Sequence, residues 1–106
     1  MLAGEAEAAE ARGGAYLLRD AETQQVMRTG RTWDLVRRES ELARDSLLKN
    51  YDFEPVYRTD VYEQQRGLEQ LLHDTYNPPL NKIRPISPAN PRLPDYLDAA
   101  RRFLNQ

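Results

Sequence analysis

Two short strand-forming segments, residues 15–18 and 25–29, flank a tight polar turn, and this pair constrains the fold more than any other feature of the chain. Ala15-Tyr16-Leu17-Leu18 follows Gly13-Gly14, and Asp20-Ala21-Glu22-Thr23 reads as the turn. Gln25-Val26-Met27-Arg28-Thr29 is the returning strand, which Gly30 ends. A linkage this short joins strands only in antiparallel fashion, since a parallel pair needs a crossover of roughly a dozen residues. An isolated hairpin is barely stable in water, so the rest of the chain must cover it.

The segments that follow supply the cover. Thr32 or Asp34 can cap a helix over residues 33–49, with Leu35, Val36, Ala43 and Leu47 at helical spacing. Asn50-Tyr51-Asp52 interrupts it, and residues 53–58 read as a third strand whose Pro55 calls for an edge position. Asp60 and Glu63 have the spacing of a capping box for a second helix, which runs to about residue 76 with Leu68, Leu71 and Leu72 toward the core. Asn77-Pro78-Pro79 stops that helix, because proline lacks the amide donor. Residues 81–94, rich in proline, form a loop that either wraps the domain in an ordered path or stays flexible. A last helix over residues 95–104 carries Tyr96, Leu97, Ala100 and Phe103 or Leu104 on one side. The predicted order is β-β-α-β-α-α: an α+β domain with a three-stranded antiparallel sheet flanked by helices. Residues 1–12, mostly Ala and Glu, read as a linker or lead-in, and residues 13–106 as the domain.

Composition excludes several classes. At 106 residues, 40% hydrophobic and 30% charged, the chain fits one globular domain. It has no apolar run of the roughly 18 residues a membrane span needs and no signal-peptide pattern at its start. Cysteine is absent, so thiolate metal sites and disulfides are excluded and a reducing compartment is expected. One histidine, His73, excludes a multi-histidine zinc centre. A net charge of −2 argues against nucleic acid only on average. Arg28, Arg31, Arg37, Arg38 and Arg44 cluster in one segment, and Lys82, Arg84, Arg92, Arg101 and Arg102 in the tail, so a local basic groove is allowed.

Spacing then becomes informative. Gly14-Ala15-Tyr16 is followed by Arg28-Thr29-Gly30, by Arg31-Thr32, and by Asp34-Leu35-Val36-Arg37-Arg38 on a helix. Further on, Glu69 lies in Gly67-Leu68-Glu69-Gln70-Leu71-Leu72, and Asn81 ends Asn77-Pro78-Pro79-Leu80-Asn81. This order resembles the GIY-YIG nuclease family, with its Gly-Ile/Val-Tyr strand, Tyr-Ile/Val-Gly strand, helix arginine, helix glutamate and Pro-x-x-Asn turn. The matched region is residues 13–81, about two-thirds of the chain.

The resemblance implies phosphodiester hydrolysis with one divalent cation, Mg2+ or another such as Mn2+, and no small-molecule cofactor. Glu69 matches the metal ligand, and one carboxylate suffices for a hard cation that keeps waters and takes phosphate oxygens. Tyr16 matches the tyrosine that orients or deprotonates the attacking water. Arg38 matches the arginine that steadies the phosphate, for which a planar guanidinium fork is suited. Arg28 and Arg31 stand as phosphate-binding residues, and Gly30 and Asn81 as site-supporting ones. Each has a plainer reading: Tyr16 as a core tyrosine, Glu69 as a solvated helix residue, Arg38 as a surface partner of Asp34 worth about 0.3–0.5 kcal/mol.

Two departures stand out. Arg28 replaces the family's second tyrosine, and Leu42 occupies the position, four residues after Arg38, where the family commonly has His or Tyr. Residues 38 and 42 share a helix face, so Leu42 is expected beside the phosphate site. Three accounts compete: the histidine is dispensable, His73 reaches in from one turn beyond Glu69, or this is a weakened or inactive form.

The nearly bare domain also resembles the C-terminal toxin tips of bacterial polymorphic toxins, of the Rhs-type and contact-dependent kinds. That implies delivery into a competitor's cytoplasm, attack on nucleic acid (DNA before RNA), and a cognate immunity protein in the producer. A repair or restriction nuclease and a catalytically silent nucleic-acid- or protein-binding module are the alternatives.

Overall fold

The computed structural model describes residues 11–106. Strand β1, Gly14–Asp20, lies at the centre of a three-stranded antiparallel sheet, between β2, Val26–Thr32, and β3, Tyr51–Arg58. A central strand covered on both faces needs apolar residues at successive positions, and Ala15, Tyr16, Leu17 and Leu18 are all buried. Helix α1, Leu35–Ala43, packs Leu35 and Leu42 against Tyr16 and Leu18. Helices α2, Tyr62–Tyr76, and α3, Leu93–Leu104, place Leu68, Leu72 and Ala100 against Ala15, Leu17 and Val26. The predicted α+β layout and element order are therefore observed. Pro55 lies on an edge strand, as expected.

Several boundaries differ from expectation, each for a local reason. Gly30 lies inside β2 rather than ending it. The first helix stops at Ala43, because the Asp45 carboxylate accepts the Leu47 N–H at 2.8 Å and folds the following residues into turns. Of the residues expected on its apolar stripe, Val36, Ala43 and Leu47 are exposed, and the buried stripe is Leu35 and Leu42, two turns apart. Asp60 forms no capping box. Its carboxylate instead accepts the backbone N–H groups of Arg12 and Gly13, at 3.1 and 2.8 Å, and α2 begins after Val61. The expected lead-in lies outside the described residues as far as residue 10; Arg12 is part of the domain, its carbonyl accepting the Leu35 N–H.

Asn77 ends α2 in the left-handed conformation, a role asparagine tolerates. The proline-rich loop takes the ordered path. Ile86 is fully buried, its N–H donates to the buried Gln70 Oε1 at 2.9 Å, and Arg84 donates to the Ile86 carbonyl. Helix α3 starts at Leu93, two residues earlier than expected, with Pro94 in its first turn, where no amide donor is needed. Among the described residues no helix is long and apolar enough to cross a membrane.

A candidate active site at the edge strand

Because β2 is an edge strand, both of its side-chain rows reach the same open border of the sheet. Arg28 and Gly30, opposite Leu18 and Tyr16, belong to the α1 face, while Thr29 and Arg31, opposite Leu17 and Ala15, belong to the α2 face. A bulge at Met27 shifts the register just before Arg28, and the Met27 carbonyl accepts the Leu80 N–H at 2.9 Å. The loop after α2 is thereby fastened to the edge.

A cleft of about 430 Å³ runs along this border. Tyr16, Arg28, Gly30, Arg31, Arg38 and Glu69 all line it, together with Trp33, Arg37 and Glu41. The structure thus brings into one cleft residues from β1, β2, α1 and α2. Of the basic residues singled out by sequence, four arginines line it against two glutamates.

Tyr16 is 2% exposed, and its ring lies across Gly30 and stacks on Phe53 at a centroid distance of 4.7 Å. A Cβ at residue 30 would stand 2.5 Å from the Tyr16 ring carbon that bears the hydroxyl, so only glycine leaves the ring its place. The Arg38 Nε–H donates to the Tyr16 hydroxyl at 3.1 Å, and its terminal nitrogen donates to Glu41 at 3.3 Å. The hydrogen bond to Tyr16, more than the bond to Glu41, holds the Arg38 guanidinium above its ordinary pKa. The plain surface pairing of Arg38 with Asp34 is not formed; Asp34 caps α1 by accepting the Arg37 N–H at 3.1 Å.

Glu69 projects from α2 with its side chain 16% exposed. Arg31 stands 3.8 Å away, an ion-pair distance too long for a hydrogen bond, and the carboxylate accepts no hydrogen bond among the described residues. Burial pushes its carboxyl up to about 6, against the opposing pull of Arg31, Arg66 and Arg28. A largely buried carboxylate without a donor is a group that calls for a ligand. No three acidic or histidine side chains gather to cage a cation among the described residues. The donor chemistry fits a hard cation held by Glu69 alone, with its other positions left to water and substrate oxygens.

Asn81 ties the loop after α2 to the edge strand. Its Oδ1 accepts the Thr29 N–H at 3.1 Å and its Nδ2 donates to the Thr29 hydroxyl at 2.6 Å, so it pairs with the outer edge of β2. His73 does not line the cleft; its Nδ1 lies 3.0 Å from the Asn81 amide nitrogen and steadies that residue. A neighbouring cleft, lined by Arg28, Glu69, Asn81, Lys82 and Ile83 among others, continues the first on the other side of Arg28 and Glu69.

Leu42, expected beside the phosphate site, does not line the cleft. It is 4% exposed and belongs to the core cluster with Tyr16, Leu18 and Leu35. Its apolar stripe position, two turns after Leu35, decides its direction. As a leucine it supports the back of Tyr16 and has no group with which to exchange protons.

Sequence reasoning overlooked Trp33 and Tyr62. Their rings stack at 5.9 Å and 15°, and the Arg31 guanidinium lies over Tyr62 at 5.1 Å. Trp33 had one available signal, a lone tryptophan directly after Arg31-Thr32. Tyr62 had none, since nothing in its spacing links it to residue 31. Comparison of the chain with models of known protein families, with curated proteins and with solved structures gives no match.

Proposed function

We propose that this chain is a metal-dependent endonuclease domain of the GIY-YIG type, hydrolysing phosphodiesters of nucleic acid, DNA before RNA. The observation that carries the reading is the convergence of Tyr16, Arg38, Arg28, Arg31 and Glu69 on one open, basic cleft, although up to 53 positions separate them in the chain. Magnesium or manganese bound at Glu69 supplies charge neutralisation at the scissile phosphate. The protein's own groups do the rest. Arg28 and Arg31 hold the strand, their charge balancing its phosphates. The Arg38 Nε–H occupies one lone pair of the Tyr16 hydroxyl, which turns the remaining lone pair and the proton toward the cleft and the attacking water. Gly30 and Asn81 keep edge strand and tyrosine in register.

The resemblance to polymorphic-toxin tips supports a biological role as an antibacterial toxin domain, delivered by a larger protein and restrained in its producer by an immunity protein. One observation favours a second reading, a weakened or silent nucleic-acid-binding module: no imidazole lines the cleft, and Leu42 is a core residue. Incubation with plasmid DNA, with single-stranded DNA and with total RNA, with and without magnesium, tests the proposal. Magnesium-dependent cleavage is expected and is lost in Glu69→Ala. Leu42→His, which puts a polar ring into the core behind Tyr16 and not into the cleft, is expected to lower stability and to bring no gain in cleavage. Intact substrates, and normal growth of bacteria expressing the chain, would refute the nuclease and toxin readings.

A further inference from the structure

Trp33 lies between β2 and α1 and is 52% exposed although it lines the cleft. Its ring is not loose. It is backed by the nearly parallel Tyr62 ring, over which lie the guanidinium groups of Arg31, at 5.1 Å, and Arg66, at 5.6 Å. Arg66 also donates to the Tyr62 hydroxyl at 2.5 Å, and Tyr62 meets Tyr96 edge-on. A half-exposed indole stacked on a tyrosine at the wall of a cleft offers a stacking surface to a flat partner. The same Arg31 that lies over Tyr62 stands 3.8 Å from Glu69, so a group stacked on Trp33 lies one arginine away from the carboxylate.

We propose that the substrate is unpaired at the cleft, with one base stacked on the open face of Trp33 while the adjoining backbone crosses Arg31 toward Glu69; this rests on the nuclease reading. Bases within a duplex present their edges in the grooves and have their faces occupied by neighbouring pairs, whereas an unpaired base offers its face to an aromatic side chain. The arginines around Trp33, including Arg37 in the same cleft, select a polyanion over an apolar peptide for this surface. The preferred substrates are therefore single strands, flaps or frayed ends.

Trp33 is the chain's only tryptophan, so its emission reports on this position alone. The test titrates the full chain, with calcium replacing magnesium to slow cleavage, against a single-stranded oligothymidylate of roughly twelve nucleotides and a duplex of matching length. Quenching by the single strand and little by the duplex is expected. By fluorescence anisotropy of the labelled strand, Trp33→Ala is expected to bind about tenfold more weakly and Trp33→Phe within about threefold of the parent. Strand binding without quenching, or with Trp33→Ala equal to the parent, overturns the stacking role while leaving the nuclease reading intact. Equal quenching by the duplex overturns the requirement for an unpaired base. Absence of binding by either probe, together with absence of magnesium-dependent cleavage, overturns the nuclease reading itself and this inference with it.

Discussion

Glu69 is the position where stability and chemistry oppose each other. Its carboxyl is raised from an ordinary 4.5 to about 6, first by burial, with Arg31, Arg66 and Arg28 pulling the other way. The folded chain therefore holds this proton more tightly than the unfolded chain does. Its contribution to stability is fully present below about pH 4.5, declines as pH rises toward about 6, and stays lost above that. Keeping the group ionised in the fold at neutral pH costs up to about 2 kcal/mol, since each pKa unit is about 1.4 kcal/mol. Glu69→Gln removes the charge with little change of shape. In urea unfolding it is expected to be more stable than the parent by up to about 2 kcal/mol at pH 8 and indistinguishable from it near pH 4. A destabilised variant at pH 8 would show that the carboxylate is held by its arginines rather than strained by burial. The same variant is expected to lose cleavage, because an amide is a poor ligand for a hard cation.

Strand β2 does more to assemble the site than any helix, and Gly30 is its critical position. The Tyr16 ring over Gly30 is fixed by Phe53 on one side and Arg38 at its hydroxyl, so it cannot yield to a methyl group. Gly30→Ala is expected to cost about 1–3 kcal/mol, as overpacking of a rigid neighbour does. It is also expected to lower cleavage more than substrate binding, because the tyrosine moves and the arginines stay; steady-state kinetics beside urea unfolding separates the two effects. This glycine also marks where sequence and structure part company. The hairpin, its first strand over residues 15–18 and the edge position of Pro55 were legible, because each follows from a local rule of apolar runs, polar turns or missing amide donors. The central place of that first strand was not legible. Gly30 reads locally as a strand stop, and only the tyrosine paired opposite makes it a strand residue. Residues 33–49 likewise read as one helix, because the Asp45 turn that cuts it short competes with the helix through a single carboxylate. Glu69, Arg38 and Tyr16 could be selected by their order along the chain. The inward direction of Leu42 was legible in its spacing, two turns after Leu35, whereas the stacking of Trp33 on Tyr62 depends on a contact between elements that no spacing encodes.

The molecule as a whole carries a net charge of −2, yet its candidate substrate is a polyanion. The fold resolves this by concentrating arginines rather than by adding them. Arg28, Arg31, Arg37 and Arg38 come from β2 and α1 to one border of the sheet, while Asp95 and Asp98 lie on α3, the helix that supplies no residue to that cleft. A field of this kind acts locally and is screened over about 10 Å at 0.1 M salt, so binding must depend steeply on ionic strength despite the unfavourable total. If all four arginines meet phosphates of a single strand, the logarithm of the association constant falls with the logarithm of salt at a slope of about −3. Arg37 is the most informative to remove, because it is exposed and its side chain pairs only loosely with Glu41, at 3.8 Å, so the fold does not depend on it. Arg37→Ala is expected to keep the parent's thermal stability, to make the slope shallower by just under one, and to weaken binding most at low salt. Anisotropy titrations of a labelled single strand between about 50 and 200 mM salt measure both slopes. An affinity that does not change over that range would mean that the cleft's arginines serve the fold and not a nucleic acid, whatever Glu69 and Tyr16 are placed to do.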